Sequence, residues 1–181
     1  MKIQKALLPV VLFLVLVISS CKKDPANPDD GELITTLKVE FIESVSGAKQ
    51  SFEFRDLDGE GGNAPSEFDE ISLSANKSYK CEVYLLNESV TPVDDITLEI
   101  EAEADDHQFY YTPSFSTLTI SDLNDDSNNL SLGTESTWST GAASTGSINI
   151  TLKHKPGTKA SGDPISKGDT DISIDFNVKI Q

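Results

Sequence analysis

Near the end of the chain, Ile172, Ile174, Phe176, Val178 and Ile180 alternate with Ser173, Asp175, Asn177 and Lys179. A two-residue period of this kind predicts a β-strand with one buried face. The same alternation recurs upstream. Leu37, Val39 and Phe41 interleave with Lys38 and Glu40 within 34–42, and Phe52 and Phe54 with Ser51, Glu53 and Arg55. Tyr79, Cys81, Val83 and Leu85 share one face of 79–86, and residues 68–74 and 79–86 read as a hairpin around Ala75-Asn76-Lys77. His107 to Tyr111 reads as a short aromatic strand. A second hairpin is predicted from 115–121 and 130–137, closed by the acidic turn 122–129. Ile148, Ile150, Leu152 and His154 then line one face of a strand, and a long polar loop runs from Lys155 to Thr170.

Residues 91–104 fit two periods. Ile96, Leu98, Ile100, Ala102 and Ala104 alternate as in a strand, yet Pro92 in a first turn, Asp94 and Asp95 after it, and the spacing of Ile96, Ile100 and Ala104 suit a helix starting at Thr91. Alanine and glutamate favour helix over strand, so one short helix is expected near 92–105. Many short one-faced strands with a single helix predict a mainly β chain, an antiparallel β-sandwich of immunoglobulin-like architecture over residues 33–181. A chain ending on so regular a strand is expected to have that strand pinned inside a sheet.

The first residues follow another pattern. Lys2 and Lys5 precede an apolar run from Ala6 to Ile18, which ends in Ile18-Ser19-Ser20-Cys21. A basic start, a short apolar stretch and small residues before a cysteine make the lipobox of a bacterial lipoprotein signal peptide. The run is shorter than the roughly 20 apolar residues a permanent span needs. Residues 1–20 are therefore expected to be removed and Cys21 to be lipidated, two or more acyl chains anchoring stably at about 0.8 kcal/mol per buried methylene. Residues 21–32, polar and carrying Pro25 and Pro28, read as a flexible tether. Lys22-Lys23-Asp24 resembles the lysine-plus-acid signals that export lipoproteins of Bacteroidota-type bacteria to the outer face of the outer membrane.

Charge narrows the partners. The formal net charge is −16, and it becomes more negative once Lys2 and Lys5 leave. Such a surface repels nucleic acid and anionic headgroups and attracts cations, divalent ones most. With Cys21 used for the lipid, Cys81 has no disulfide partner, and its place on an apolar strand face predicts a buried small hydrophobe. Stability must then come from packing.

The stretches Asp56-Leu-Asp-Gly-Glu-Gly-Gly-Asn-Ala-Pro65, Asp105-Asp-His-Gln-Phe-Tyr-Tyr111, Leu152-Lys-His-Lys-Pro156 and Asp169-Thr-Asp-Ile-Ser-Ile174 resemble a family of small Bacteroidota-type lipoproteins. That family is commonly labelled as type 1 periplasmic-binding-fold proteins, and some members accompany TonB-dependent outer-membrane transporters. The resemblance implies an outer-membrane location and a transport context, and no activity.

Two groups of residues suggest cation chemistry. In the glycine-rich loop 56–67, Asp56, Asp58 and Glu60 stand at the first, third and fifth positions of a calcium loop, with the Gly62 carbonyl at the seventh and Glu67 at the twelfth. Glu60 is longer than the usual fifth ligand, Asn63 replaces an apolar eighth residue, and the flanks read as strands, so a plain acidic turn competes with this reading. His107 and His154 each sit at the margin of a core-facing strand. If those strands are neighbours, the imidazoles meet, and Asp105 or Asp106 could complete a site for zinc, copper or iron. Hydrogen-bonded rim histidines are the competing reading, because no His-x-His or His-x-x-x-His pair is present. Phe109, Tyr110, Tyr111 and Trp138 are candidates for a sugar or peptide platform or for half-buried core.

Gly-x-Ser-x-Gly, His-Glu-x-x-His and phosphate-loop signatures are all missing, so no enzyme is expected. The sequence reads as a lipid-anchored envelope binding protein, an accessory to an outer-membrane transporter that takes a small ligand or metal through acidic loops. The alternative is a structural or adhesive sandwich rigidified by calcium.

Overall fold

A computed structural model of the chain describes residues 33–59 and 62–181. The signal peptide 1–20, the lipidation residue Cys21 and the tether 21–32 lie outside them, as do Glu60 and Gly61. In chain order the elements are β1 (Thr36–Glu43), β2 (Lys49–Arg55), β3 (Glu67–Phe68), β4 (Ile71–Leu73), β5 (Ser78–Asn87), β6 (Asp94–Asp95), α1 (Ile96–Ala102), β7 (His107–Pro113), β8 (Leu118–Ser121), β9 (Glu135–Thr140), β10 (Ser144–His154) and β11 (Asp169–Ile180). They form a β-sandwich. One sheet runs β3-β2-β1-β5-β9-β8, with β6 beside the end of β5, and the other runs β4-β11-β10-β7. All pairings are antiparallel except β4 with β11.

The alternating residues supply the core. Leu37, Val39, Phe41, Cys81, Val83 and Leu85 of the first sheet and Phe109, Ile148, Ile150, Leu152, Phe176 and Val178 of the second belong to one buried cluster. Aromatic rings join the layers: Trp138 lies 4.9 Å from Phe41 within its own sheet and 5.9 Å from Tyr111 across the gap. Such edge-to-face contacts add about 0.5–1.5 kcal/mol each beyond area burial. The last strand, β11, lies between β4 and β10, inside its sheet as its pattern predicted.

Three local expectations change. Residues 68–74 and 79–86 do not form a hairpin, because β4 crosses to the second sheet and pairs in parallel with β11, while β5 pairs with β1 and β9. The crossing is fastened by Thr140, whose Oγ1 accepts from the Lys77 N–H at 2.9 Å and donates to the Ser74 carbonyl at 2.7 Å. Alternation fixes which face a strand buries, and says nothing of its partner. The helix exists but begins at Ile96. Asp94 and Asp95 are held extended by pairing with Asn87 and Leu86, and Asp95 then caps the helix by accepting from the Thr97 N–H at 3.1 Å. Finally, β9 begins only at Glu135, since the preceding residues wrap around Asn124, whose side-chain oxygen accepts from the Gly133 and Glu135 N–H groups.

Candidate metal centre

The two histidines meet. β10 runs antiparallel to β7 with His154 directly opposite His107. Because Leu152 and Phe109 are the preceding register pair on the same face, both imidazoles emerge at the end of the inner surface of this sheet. Their rings lie parallel, 6° apart in plane and 4.6 Å apart between centroids. His107 is buried, and its Nδ1 lies 3.0 Å from the Glu103 carbonyl oxygen. In that contact the Nδ1 proton is donated, which leaves the lone pair on Nε2, the tautomer a metal ligand requires. Burial lowers the His107 pKa, and the Glu103 hydrogen bond opposes that shift. Burial thus favours the neutral ring, the form that ligation demands.

Two carboxylates flank this pair. Glu103, at the C-terminal cap of α1, offers an oxygen in a group with His107 and His154 whose ligand atoms all lie within 4.8 Å of one another. Asp171 approaches from β11, with Oδ2 at 3.9 Å from His107 Nε2. Strict alternation would turn Asp171 outward with Ser173 and Asp175. The register breaks here instead: Leu152 faces Ile172 but Lys153 faces Thr170, so Asp171 is the extra residue of a β-bulge. The bulge re-aims its side chain toward the histidines. Burial pushes the Asp171 carboxyl up to about 6, against the pull of His154 and Lys153. Its Oδ2 is buried without a hydrogen-bond partner.

The loop from Lys155 to Gly168 straps the outside of the site. Lys155 is fully buried, donates to Gln108 Oε1 at 2.7 Å and to the Tyr110 hydroxyl at 2.5 Å, and stacks its ammonium over the Tyr110 ring. Lys159 pairs with Asp126 at 2.7 Å and donates to the Ala104 carbonyl at 2.8 Å. Gly168 closes the strap with φ +82°, where a Cβ would stand 2.3 Å from the His154 carbonyl oxygen. Asp105 and Asp106, the acids expected to complete the histidine site, are committed elsewhere. Asp106 accepts from the Gly157 N–H and Asp105 from the Ser127 hydroxyl. Glu103 stands in the place expected of them, and Asp171 lies beside His107 outside the group of Glu103, His107 and His154. No local pattern marks Asp171, since the bulge that turns it inward depends on pairing with β10.

The acidic loop gathers only part of its predicted set. The Asp58 carboxylate accepts from the Asn63 N–H at 2.9 Å and from Asn63 Nδ2 at 2.6 Å. These bonds, with the neighbouring Asp56 side chain, hold its pKa below the usual carboxylate range. Asp56 is nearly buried, and its Oδ1 has no hydrogen-bond partner. Gly62 lies against Asp58, where a Cβ would come within 2.6 Å of Oδ2. Glu67 sits in β3 opposite Arg55, one residue along from Asp56 and so on the other face of the ribbon. Glu60 is outside the described residues.

The aromatic platform is not assembled. Phe109 and Trp138 are buried, Tyr111 donates to the Gly133 carbonyl, and Tyr110 donates to the Asp163 carbonyl beneath the strap. Compared with family models, curated proteins and solved structures, the chain matches none.

Proposed function

We propose that this chain is a lipid-anchored protein of the outer membrane whose β-sandwich binds a divalent transition metal at His107, His154 and Glu103, in the service of a neighbouring transporter. One observation carries the metal reading: two register-paired imidazoles, stacked at 4.6 Å, share a donor cluster with a carboxylate. Two imidazoles and carboxylate oxygen make a donor set suited to zinc, nickel or iron, and the stacked rings would repel if both were protonated. The strongly acidic surface favours cation approach. The lipobox and the resemblance to transporter-associated lipoproteins support the location and the partner. Binding without chemistry is the reading here, since the sequence holds no catalytic signature.

The test is a titration of zinc, cobalt or nickel into the detergent-solubilised chain, followed by calorimetry and thermal unfolding. One ion per chain is expected, with a stability gain of about 2.7 kcal/mol at 100 times the dissociation constant. His107→Ala and His154→Ala should each abolish it. A wild-type unfolding curve that none of the three metals moves defeats the proposal. For the partner, recovery of the chain from membranes should bring a β-barrel transporter with it.

A second reading has its own support. The unpartnered Asp56 Oδ1 beside Asp58 favours a calcium-stiffened structural module. Calcium should then raise the melting temperature of the wild type and leave Asp56→Asn unmoved, and equal curves for both remove this reading.

A further inference from the structure

We infer that Asp171 is the fourth ligand of the histidine site, completing a two-nitrogen, two-oxygen shell with His107, His154 and Glu103 that selects a zinc-type ion. The inference rests on the metal reading above and extends it to the ion's class and to a residue that alternation assigns to the opposite face.

Four observations converge. The His107 Nδ1 contact with the Glu103 carbonyl leaves Nε2 as the atom with a free lone pair, and Nε2 is the atom that Asp171 approaches. The 3.9 Å between Nε2 and Oδ2 is too long for a hydrogen bond. It lies within the span of two metal bonds of about 2.0–2.2 Å each. Asp171 stands outside the group of Glu103, His107 and His154 whose ligand atoms lie within 4.8 Å of one another, so its carboxylate must turn toward them when an ion binds. Oδ2 is one of two buried side-chain oxygens without a hydrogen-bond partner among the described residues. Buried polar atoms are nearly always paired, and an unpaired carboxylate oxygen 3.9 Å from an imidazole lone pair is an arrangement that a bound cation would satisfy. The bulge that brings Asp171 inward interrupts the pairing of the sheet's two longest strands at this one place, and bulges cluster where a side chain must be re-aimed for a site.

The donors also set the ion. The one thiol among the described residues, Cys81, is buried in β5 within the core and is no part of the cluster. A shell of imidazole and carboxylate suits Zn²⁺ and its spectroscopic substitute Co²⁺, whereas Cu⁺ prefers sulfur and Ca²⁺ requires six to eight oxygens.

Cobalt titration of the full chain in detergent tests this. The wild type should develop the intense visible absorption of four-coordinate Co²⁺, which zinc displaces and calcium does not. Asp171→Asn should keep its fold by circular dichroism, bind cobalt at least about tenfold more weakly, and show only the pale band of higher coordination. Asp171→His, which restores a ligand, should recover the intense band. If Asp171→Asn matches the wild type in affinity and spectrum, Asp171 is not a ligand, and the site of His107, His154 and Glu103 stands without it. If the wild type itself takes up neither cobalt nor zinc, the proposed function falls and the role of Asp171 falls with it.

Discussion

In the metal-free chain, Asp171 should weaken the fold that holds it. Its carboxyl is pushed from an ordinary 3.8 to about 6, mostly by burial. A shift of about two units at about 1.4 kcal/mol per unit corresponds to about 3 kcal/mol. The side chain keeps 18% of its surface exposed, and the water that reaches it trims the figure to about 2 kcal/mol. Because the folded pKa is raised, the folded chain holds this proton to higher pH than the unfolded one. The penalty is therefore absent below about pH 4, grows through pH 6 and is complete above it. His107 acts in the opposite sense: its lowered pKa gives stability that is present above 6.5 and lost as pH falls. The two slopes partly cancel in the wild type, so the comparison with Asp171→Asn isolates the carboxylate. The asparagine amide is nearly isosteric, carries no charge and can donate to the His107 Nε2 lone pair. In urea unfolding with chelator present, Asp171→Asn should be more stable than wild type by about 2 kcal/mol at pH 7.5, about 4–8 °C in melting temperature, and equal to it at pH 4. Zinc at 100 times the wild-type dissociation constant should narrow the gap, adding about 2.7 kcal/mol to the wild type and only about 1.4 kcal/mol to a variant that binds about tenfold more weakly. Coincident profiles at pH 7.5, or a gap that persists at pH 4, would refute the reasoning. Residues kept for a ligand commonly cost stability without it.

Lys159→Met removes the cation paired with the buried Asp126 carboxylate and should cost about 3 kcal/mol in urea unfolding, while adding Asp126→Asn, which still accepts from the Asn128 and Leu130 N–H groups, should recover most of that loss; a single variant as stable as wild type would show the pair to be dispensable. Burial raises the Cys81 thiol far above its ordinary pKa, so a disulfide reagent should leave it untouched in the native chain and label it only on unfolding. Gly168→Ala forces a side chain into positive φ and onto the His154 carbonyl; it should cost about 1–3 kcal/mol and weaken zinc binding as well, and an unchanged melting curve would separate the strap from the site.

The sequence by itself determined the layers. Leu37, Val39 and Phe41, or Phe176, Val178 and Ile180, can satisfy their hydrophobic surface only as one face of a strand, and every one of them is buried. It also brought His107 and His154 to the rim of apolar faces, which is where they stand. What it could not fix was which edges pair. The parallel docking of β4 on β11, the extended Asp94–Asp95 that delays α1, and the antiparallel register setting His154 opposite His107 all join residues far apart in the chain. Asp171 shows the limit most sharply. Its neighbours alternate faithfully and assign it to the solvent face, and only the mismatch in length between β10 and β11 inserts the extra residue that turns it inward. Local periodicity records which residues avoid water, whereas the meeting of two imidazoles and the approach of Asp171 to one of them depend on how strands register across the sheet, and that is settled by the packing of the whole sandwich.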